Sequence, residues 1–126
     1  MKINYQSLEK KIDLKFKNKD LLVQALTHKS FNPNENNEKI EFLGDRVLGL
    51  VIAKKLLEIY PGEKEGILDK KFASLVNKKT CLDIAKKINL ASYVKTFNPN
   101  NKKIKIEDKI LLILVLCNSL NTENSL

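Results

Sequence analysis

Residues 37–60 read Asn37-Glu38-Lys39-Ile40-Glu41-Phe42-Leu43-Gly44-Asp45-Arg46-Val47-Leu48-Gly49-Leu50-Val51-Ile52-Ala53-Lys54-Lys55-Leu56-Leu57-Glu58-Ile59-Tyr60. Apolar side chains recur at Ile40, Leu43, Val47, Leu50, Val51 and Ala53, at the spacing of a helix face and not the alternation of a strand. Pro61-Gly62 ends the run, because proline cannot continue a helix. The sequence thus predicts one long helix from Glu38 to Tyr60. Before it, Phe31 to Asn37 carries Pro33 and four Asn and reads as a loop. Further back, Asn18-Lys19-Asp20 caps a helix through Leu21, Leu22, Ala25 and Leu26, and Ser7 to Ile12 begins a short amphipathic one. Downstream, Gly66 opens a helix through Leu68, Phe72, Leu75 and Val76. Another runs from Thr80 through Leu82, Ile84, Ala85 and Ile88. Phe97 to Asn101 reads as a loop, and Lys102 to Leu116 as a last helix, basic and then apolar. Six or seven helices and no convincing sheet define an all-α fold class.

On the long helix, Glu38, Glu41 and Asp45 fall at i, i+3 and i+7, so three carboxylates share one face. Like charges at these spacings repel, and a bound cation relieves the repulsion. Hard divalent ions take such oxygen ligands, and Mg²⁺ keeps several waters beside them. The alternative is a solvated acidic face paired with Lys39 and Lys54. No Ser/His/Asp or Cys/His set points to nucleophilic catalysis, and Gly44 and Gly49 form no phosphate loop.

The segment from Asn37 to Leu48 resembles the ribonuclease III signature, N-E-x-[LI]-E-[FW]-L-G-D-x-V-L, at every fixed position. Ala25-Leu26-Thr27-His28-Lys29-Ser30-Phe31 is similar to that family's A-L-T-H-x-S segment. Glu65-Gly66-Ile67-Leu68 with Ala73-Ser74-Leu75-Val76-Asn77 resembles its E-G-x-L-x-x-x-x-A-x-L-V-N block. The matches cover about residues 4–97 of a single nuclease domain spanning 1–126, with 112–126 divergent and no second domain.

The resemblance implies an all-helical bundle working as a homodimer. It would hydrolyse phosphodiester bonds of double-stranded RNA with Mg²⁺, or Mn²⁺ as a substitute, in ribosomal and messenger RNA precursor processing. It implies that Glu41, Asp45, Glu65 and Asp108 hold metal, with Asp45 and Glu38 as catalytic residues at the cleft. Phe42 would plug into the partner subunit, and Gly44 would let the two signature helices approach closely. His28, the only histidine, would be structural, on the helix beneath the site. No organic cofactor is implied.

The late part of the chain departs from the pattern. The family completes its site with I-L-A-D-x-x-E-A-[LIV]-[IV]-G-A, where this chain reads Ile106-Glu107-Asp108-Lys109-Ile110-Leu111-Leu112-Ile113-Leu114-Val115-Leu116. One alignment keeps Asp108 as the aspartate and puts Leu111 at the glutamate. A second aligns Ile110-Leu111 with I-L, so that Ile113 and Leu116 replace both acids. Either leaves the second acidic pair incomplete. The sequence reaches Leu126 without the end of the domain or the double-stranded-RNA-binding domain of typical bacterial members. A frameshift or degenerate gene copy would account for all of this.

Composition bounds the remaining possibilities. A chain of 126 residues makes one domain. Its 23 basic residues against 15 acidic give +8 and favour a polyanionic partner. Only one of the 23, Arg46, is arginine, so an AT-rich genome would also raise lysine. Aromatic residues are 6%, which argues against a stacked-base platform. Cys81 and Cys117 lack metal-ligand neighbours and read as small buried hydrophobes. The charged N-terminus is no signal peptide, and the longest apolar run, Ile110 to Cys117, is too short to span a bilayer. Cytoplasmic location and no membrane partner are the expectation.

Overall fold

The computed structural model describes residues 2–97. Five α-helices follow one another: α1 Tyr5–Ile12, α2 Lys19–Ala25, α3 Glu38–Ile59, α4 Glu65–Leu75 and α5 Lys78–Lys87. A 3-10 turn at Leu90–Tyr93 comes next. The described residues contain no strand, only an isolated parallel bridge between Thr27 and Lys95. The all-α expectation holds, with helix starts displaced by one or two residues. The expected last helix lies outside the described residues, with Asp108, Leu111, Ile113, Leu116 and Cys117.

Local chemistry explains the starts. Asn4, Asn18 and Asn77 each accept a backbone N–H three residues on, from Ser7 (3.1 Å), Leu21 (3.0 Å) and Thr80 (2.8 Å). Each satisfies a donor that the first turn leaves open. Helix α1 ends on Asp13 in the left-handed conformation, φ 54°, which turns the chain back on itself.

Leu8, Phe16, Leu22, Ala25, Leu26, Ala85, Leu90, Tyr93 and Val94 form the buried cluster, so the core joins α1, α2, α5 and the 3-10 turn. Inside it, Glu9 is 8% exposed and accepts from the Phe16 N–H at 2.8 Å and from Lys19. Tyr93 OH meets Ser7 Oγ at 3.0 Å, tying α1 to the 3-10 turn. Cys81 is buried, as its sequence context implied.

The long helix behaves differently from its sequence pattern. Only Gly44 and Leu56 are buried along α3, while Leu43, Leu50 and Leu57, seven residues apart, form an exposed stripe. Helix α4 packs against it: a Cβ placed at Gly49 would meet Phe72 Cζ at 3.6 Å, ordinary contact. Thus α3 lies beside the main core of the described residues and keeps its acidic start accessible.

Candidate active site

The start of α3 is fixed by the asparagine-rich loop before it. Asn32 Oδ1 accepts from the N–H groups of Asn34 and Glu35, both at 3.0 Å. Asn36 Nδ2 donates to the Asn32 and Pro33 carbonyls, and Asn36 Oδ1 accepts from Glu38 N–H at 3.0 Å. Short amides imitate backbone groups here, which is why they suit a tight loop. Asn37 is buried; its N–H donates to the Thr27 carbonyl at 3.0 Å and its carbonyl accepts from Glu41 N–H at 2.8 Å. Thr27 is itself held through its hydroxyl to the Val23 carbonyl at 2.6 Å. The acidic row therefore begins on a rigid mount at the end of α2.

Glu38 and Glu41 lie in the first turn of α3, where the positive end of the helix dipole favours carboxylates. Asp45 follows one turn after Glu41. Glu38 and Asp45 are exposed and Glu41 is half-buried. The Lys29 ammonium stands 3.0 Å from Glu38, and Arg46 stands 3.8 Å from Asp45. Exposed pairs such as these add little stability in water and can open to a ligand. Lys54 does not serve the acidic row, contrary to the solvated-face alternative. It pairs with Glu58 at 2.6 Å, one turn along the helix.

Glu65 opens α4 and is exposed. Among the described residues no group of three or more His, Cys, Asp or Glu is gathered for a metal ion. Helical rise gives the reason along α3: seven residues span roughly 10 Å, so Glu38 and Asp45 cannot close on one ion. Glu41 and Asp45, four apart, stand on adjacent turns of one face and make the natural pair. Asp108 lies outside the described residues.

Phe42, the expected plug, is 63% exposed. Arg46 lies over its ring, 3.8 Å from guanidinium carbon to centroid, and donates to the Phe42 carbonyl at 3.0 Å. Gly44 is buried within the protomer. His28 lies past the end of α2 rather than on the expected helix, and it faces its own turn: the Ser30 N–H donates to Nδ1 at 3.1 Å and Ser30 Oγ lies 2.8 Å from the same nitrogen. Its backbone N–H donates to the Lys95 carbonyl at 2.9 Å. These bonds suit a structural residue. Lys29 was not marked by the sequence as a site residue, because it fills the variable position of the A-L-T-H-x-S segment.

Among the described residues, an all-helical fold carries a carboxylate row along the first turns of its longest helix. A family model described as "Ribonuclease-III-like" matches residues 18–119. Ribonuclease 3 of Pelagibacter ubique is 68% identical over 111 residues, covering 88% of this chain and 50% of that protein. Ribonuclease 3 of a Sulfurovum species is 47% identical over 91 residues, 72% of this chain and 41% of that protein. The chain thus spans about half or less of the length of these curated relatives. In shape it is similar to the nuclease domain of Campylobacter jejuni ribonuclease III. One such structure has a TM-score of 0.82 at 35% identity, covering 94% of this chain and 87% of that one, and is described as flexible in a region involved in dimer formation. A second, at 2.2 Å, has a TM-score of 0.76 at 40% identity, covering 93% and 80%. The chain belongs to the ribonuclease III family, and its fold is that of the family's nuclease domain.

Proposed function

We propose that this chain is a nuclease domain for double-stranded RNA, its cutting impaired by the incomplete second acidic pair, that works as a homodimer with Mg²⁺, or Mn²⁺ in its place. Processing of ribosomal and messenger RNA precursors in the cytoplasm would be its setting. The observation that carries the reading is the mounted carboxylate row of α3, within a segment similar to the family signature. Its donors are all carboxylate oxygens, which fit a hard divalent ion, and Mg²⁺ commonly takes one or two of them and keeps its waters. Glu41 and Asp45 would hold the ion, and Glu65 would add a carboxylate from α4. Bound metal would neutralise charge on the phosphate and lower the pKa of the attacking water. Asp45 would also orient that water, and Glu38 would line the cleft, released from Lys29 as RNA phosphate competes for the lysine. A-form RNA presents 2′-hydroxyls across a shallow minor groove, so shape would set the preference for RNA over DNA. Two protomers facing each other would place one site on each strand.

A second reading, a double-stranded-RNA-binding dimer without cleavage, is favoured by Leu111, or Ile113 and Leu116, at family positions that carry acids. An apolar side chain cannot accept from a metal-bound water, and small misplacements of a reacting group cost on the order of 100-fold. The experiment that tests both incubates purified chain with long duplex RNA and Mg²⁺ or Mn²⁺, beside Asp45→Asn. The expected outcome is salt-sensitive binding to duplex RNA over duplex DNA, with slow or no cutting. Efficient cutting abolished by Asp45→Asn would show that another acid completes the site. Equal affinity for duplex DNA would sink the shape argument.

A further inference from the structure

Three of the five phenylalanines stand in the open; besides Phe42, Phe31 is 54% exposed and Phe97 82%. The low aromatic content argued against any base-stacking surface, but the fold brings Phe31 and Phe97 to the same turn. The Lys95 N–H donates to the Leu26 carbonyl at 2.8 Å, and the Lys95 carbonyl accepts from His28 N–H at 2.9 Å. This register lays 95–97 beside 26–30, and Phe97 N–H reaches Ser30 Oγ at 3.3 Å. Phe31 is the next residue. The Lys95 ammonium stands 5.7 Å from the Phe31 ring centroid, and Lys29 on the same turn reaches Glu38 of the acidic row. The surface is thus aromatic and basic, on the shoulder of the candidate site.

Beside Phe31 and Lys95 is a concavity of about 630 Å³, also lined by Asp20, Gln24, Asn32 and Glu35. That is the size of a small-ligand site. Its two carboxylates repel phosphate but accept from the amino and imino groups of a base, and its amides can meet a base edge. Phosphates instead match Lys29. Bases inside a continuous A-form duplex are stacked on each other and cannot reach an aromatic side chain; an unpaired base can.

Building on the double-stranded-RNA reading above, we propose that this shoulder takes an unpaired nucleotide of the RNA, a bulge or a frayed end next to the paired segment held at the carboxylate face. Phe31 and Phe97 stack the base, and Lys29 and Lys95 face its flanking phosphates.

The test compares the full chain on a perfect RNA duplex and on the same duplex with one unpaired 2-aminopurine. Phe31→Ala, Phe97→Ala, the double variant and Phe31→Tyr accompany the wild type. Both side chains are more than half exposed, so these changes spare the core. The wild type should bind the bulged RNA about 5- to 160-fold more tightly, the range one base stacked on one aromatic supplies, and quench its fluorescence. The alanine variants should lose that preference while holding the perfect duplex as before, and Phe31→Tyr should keep it. No preference in the wild type would overturn the inference alone. So would equal loss on both RNAs, or loss of self-association in the alanine variants, which would make this surface a contact between copies. Failure to bind either RNA at low salt would overturn the RNA reading and this inference with it.

Discussion

Phe42→Ala separates what holds the protomer together from what joins two protomers. The side chain is 63% exposed in the single chain, so its removal takes little from the fold. A phenylalanine of roughly 200 Å² left that open offers about 125 Å² to a partner. At about 25 cal/mol per Å², burial of that area is worth about 3 kcal/mol per protomer. Giving up the contact that Arg46 makes over the ring would cost about 0.5–1 kcal/mol and lower the gain to about 2–3 kcal/mol. A two-fold interface uses the residue twice, so a dimer stands to lose about 4–6 kcal/mol, a rise of three to four decades in its dissociation constant. Sedimentation velocity across a concentration series measures this, with circular dichroism and thermal melting as the check on the protomer. The expected result is a dimeric wild type and a folded, monomeric variant. An unchanged dissociation constant would refute the reasoning, as would a wild type that is monomeric at micromolar concentration. A variant that fails to fold would show that Phe42 packs within the protomer.

Other expectations follow from the same side chains. Glu41→Gln and Asp45→Asn should leave melting without metal unchanged or slightly raised, because each removes charge from a like-charged row. They should also reduce the stabilisation given by Mg²⁺ or Mn²⁺; equal stabilisation of wild type and both variants would mean that these residues are not ligands. Glu9→Ala should cost about 2–3 kcal/mol in urea unfolding, chiefly by orphaning the buried Phe16 N–H, whereas Glu9→Gln keeps an acceptor and should cost about 1 kcal/mol. Equal costs for the two would place the value of Glu9 elsewhere. Burial, the largest single influence on Glu9, pushes its carboxyl up. The Lys19 ammonium, the Phe16 N–H and the charge of Lys15 outweigh it and hold the carboxyl below the usual range. The folded value is therefore lower than the unfolded one, about 4.3. The contribution of Glu9 is complete above that pH and drains away as pH falls through the folded value. Stability-against-pH curves of wild type and Glu9→Gln should converge in acid, and parallel curves would refute the assignment.

Much of this protein was legible before any coordinates. Helical periodicity, Pro61-Gly62 and the Asn18 cap fixed the order and type of the elements, because they act within a few residues of themselves. The acidic row was legible for the same reason: Glu38, Glu41 and Asp45 share a face by helical geometry alone. The signature around them carried the family.

The tertiary structure decided what depends on residues distant in the chain. The most regular apolar pattern lies on α3, yet Leu43, Leu50 and Leu57 stay exposed in the protomer, while the core forms from shorter helices α1, α2 and α5 and the segments that follow them. A period tells which residues share a face and says nothing of what that face meets. Lys54 was a plausible partner for the acidic row by charge, but one helical turn puts Glu58 nearer, and Lys29 arrives from another segment to meet Glu38. Phe31 and Phe97 are ordinary phenylalanines in sequence. Only the backbone pairing of Lys95 with Leu26 and His28 makes them neighbours, because hydrogen bonds between remote segments are set by how the whole chain closes on itself.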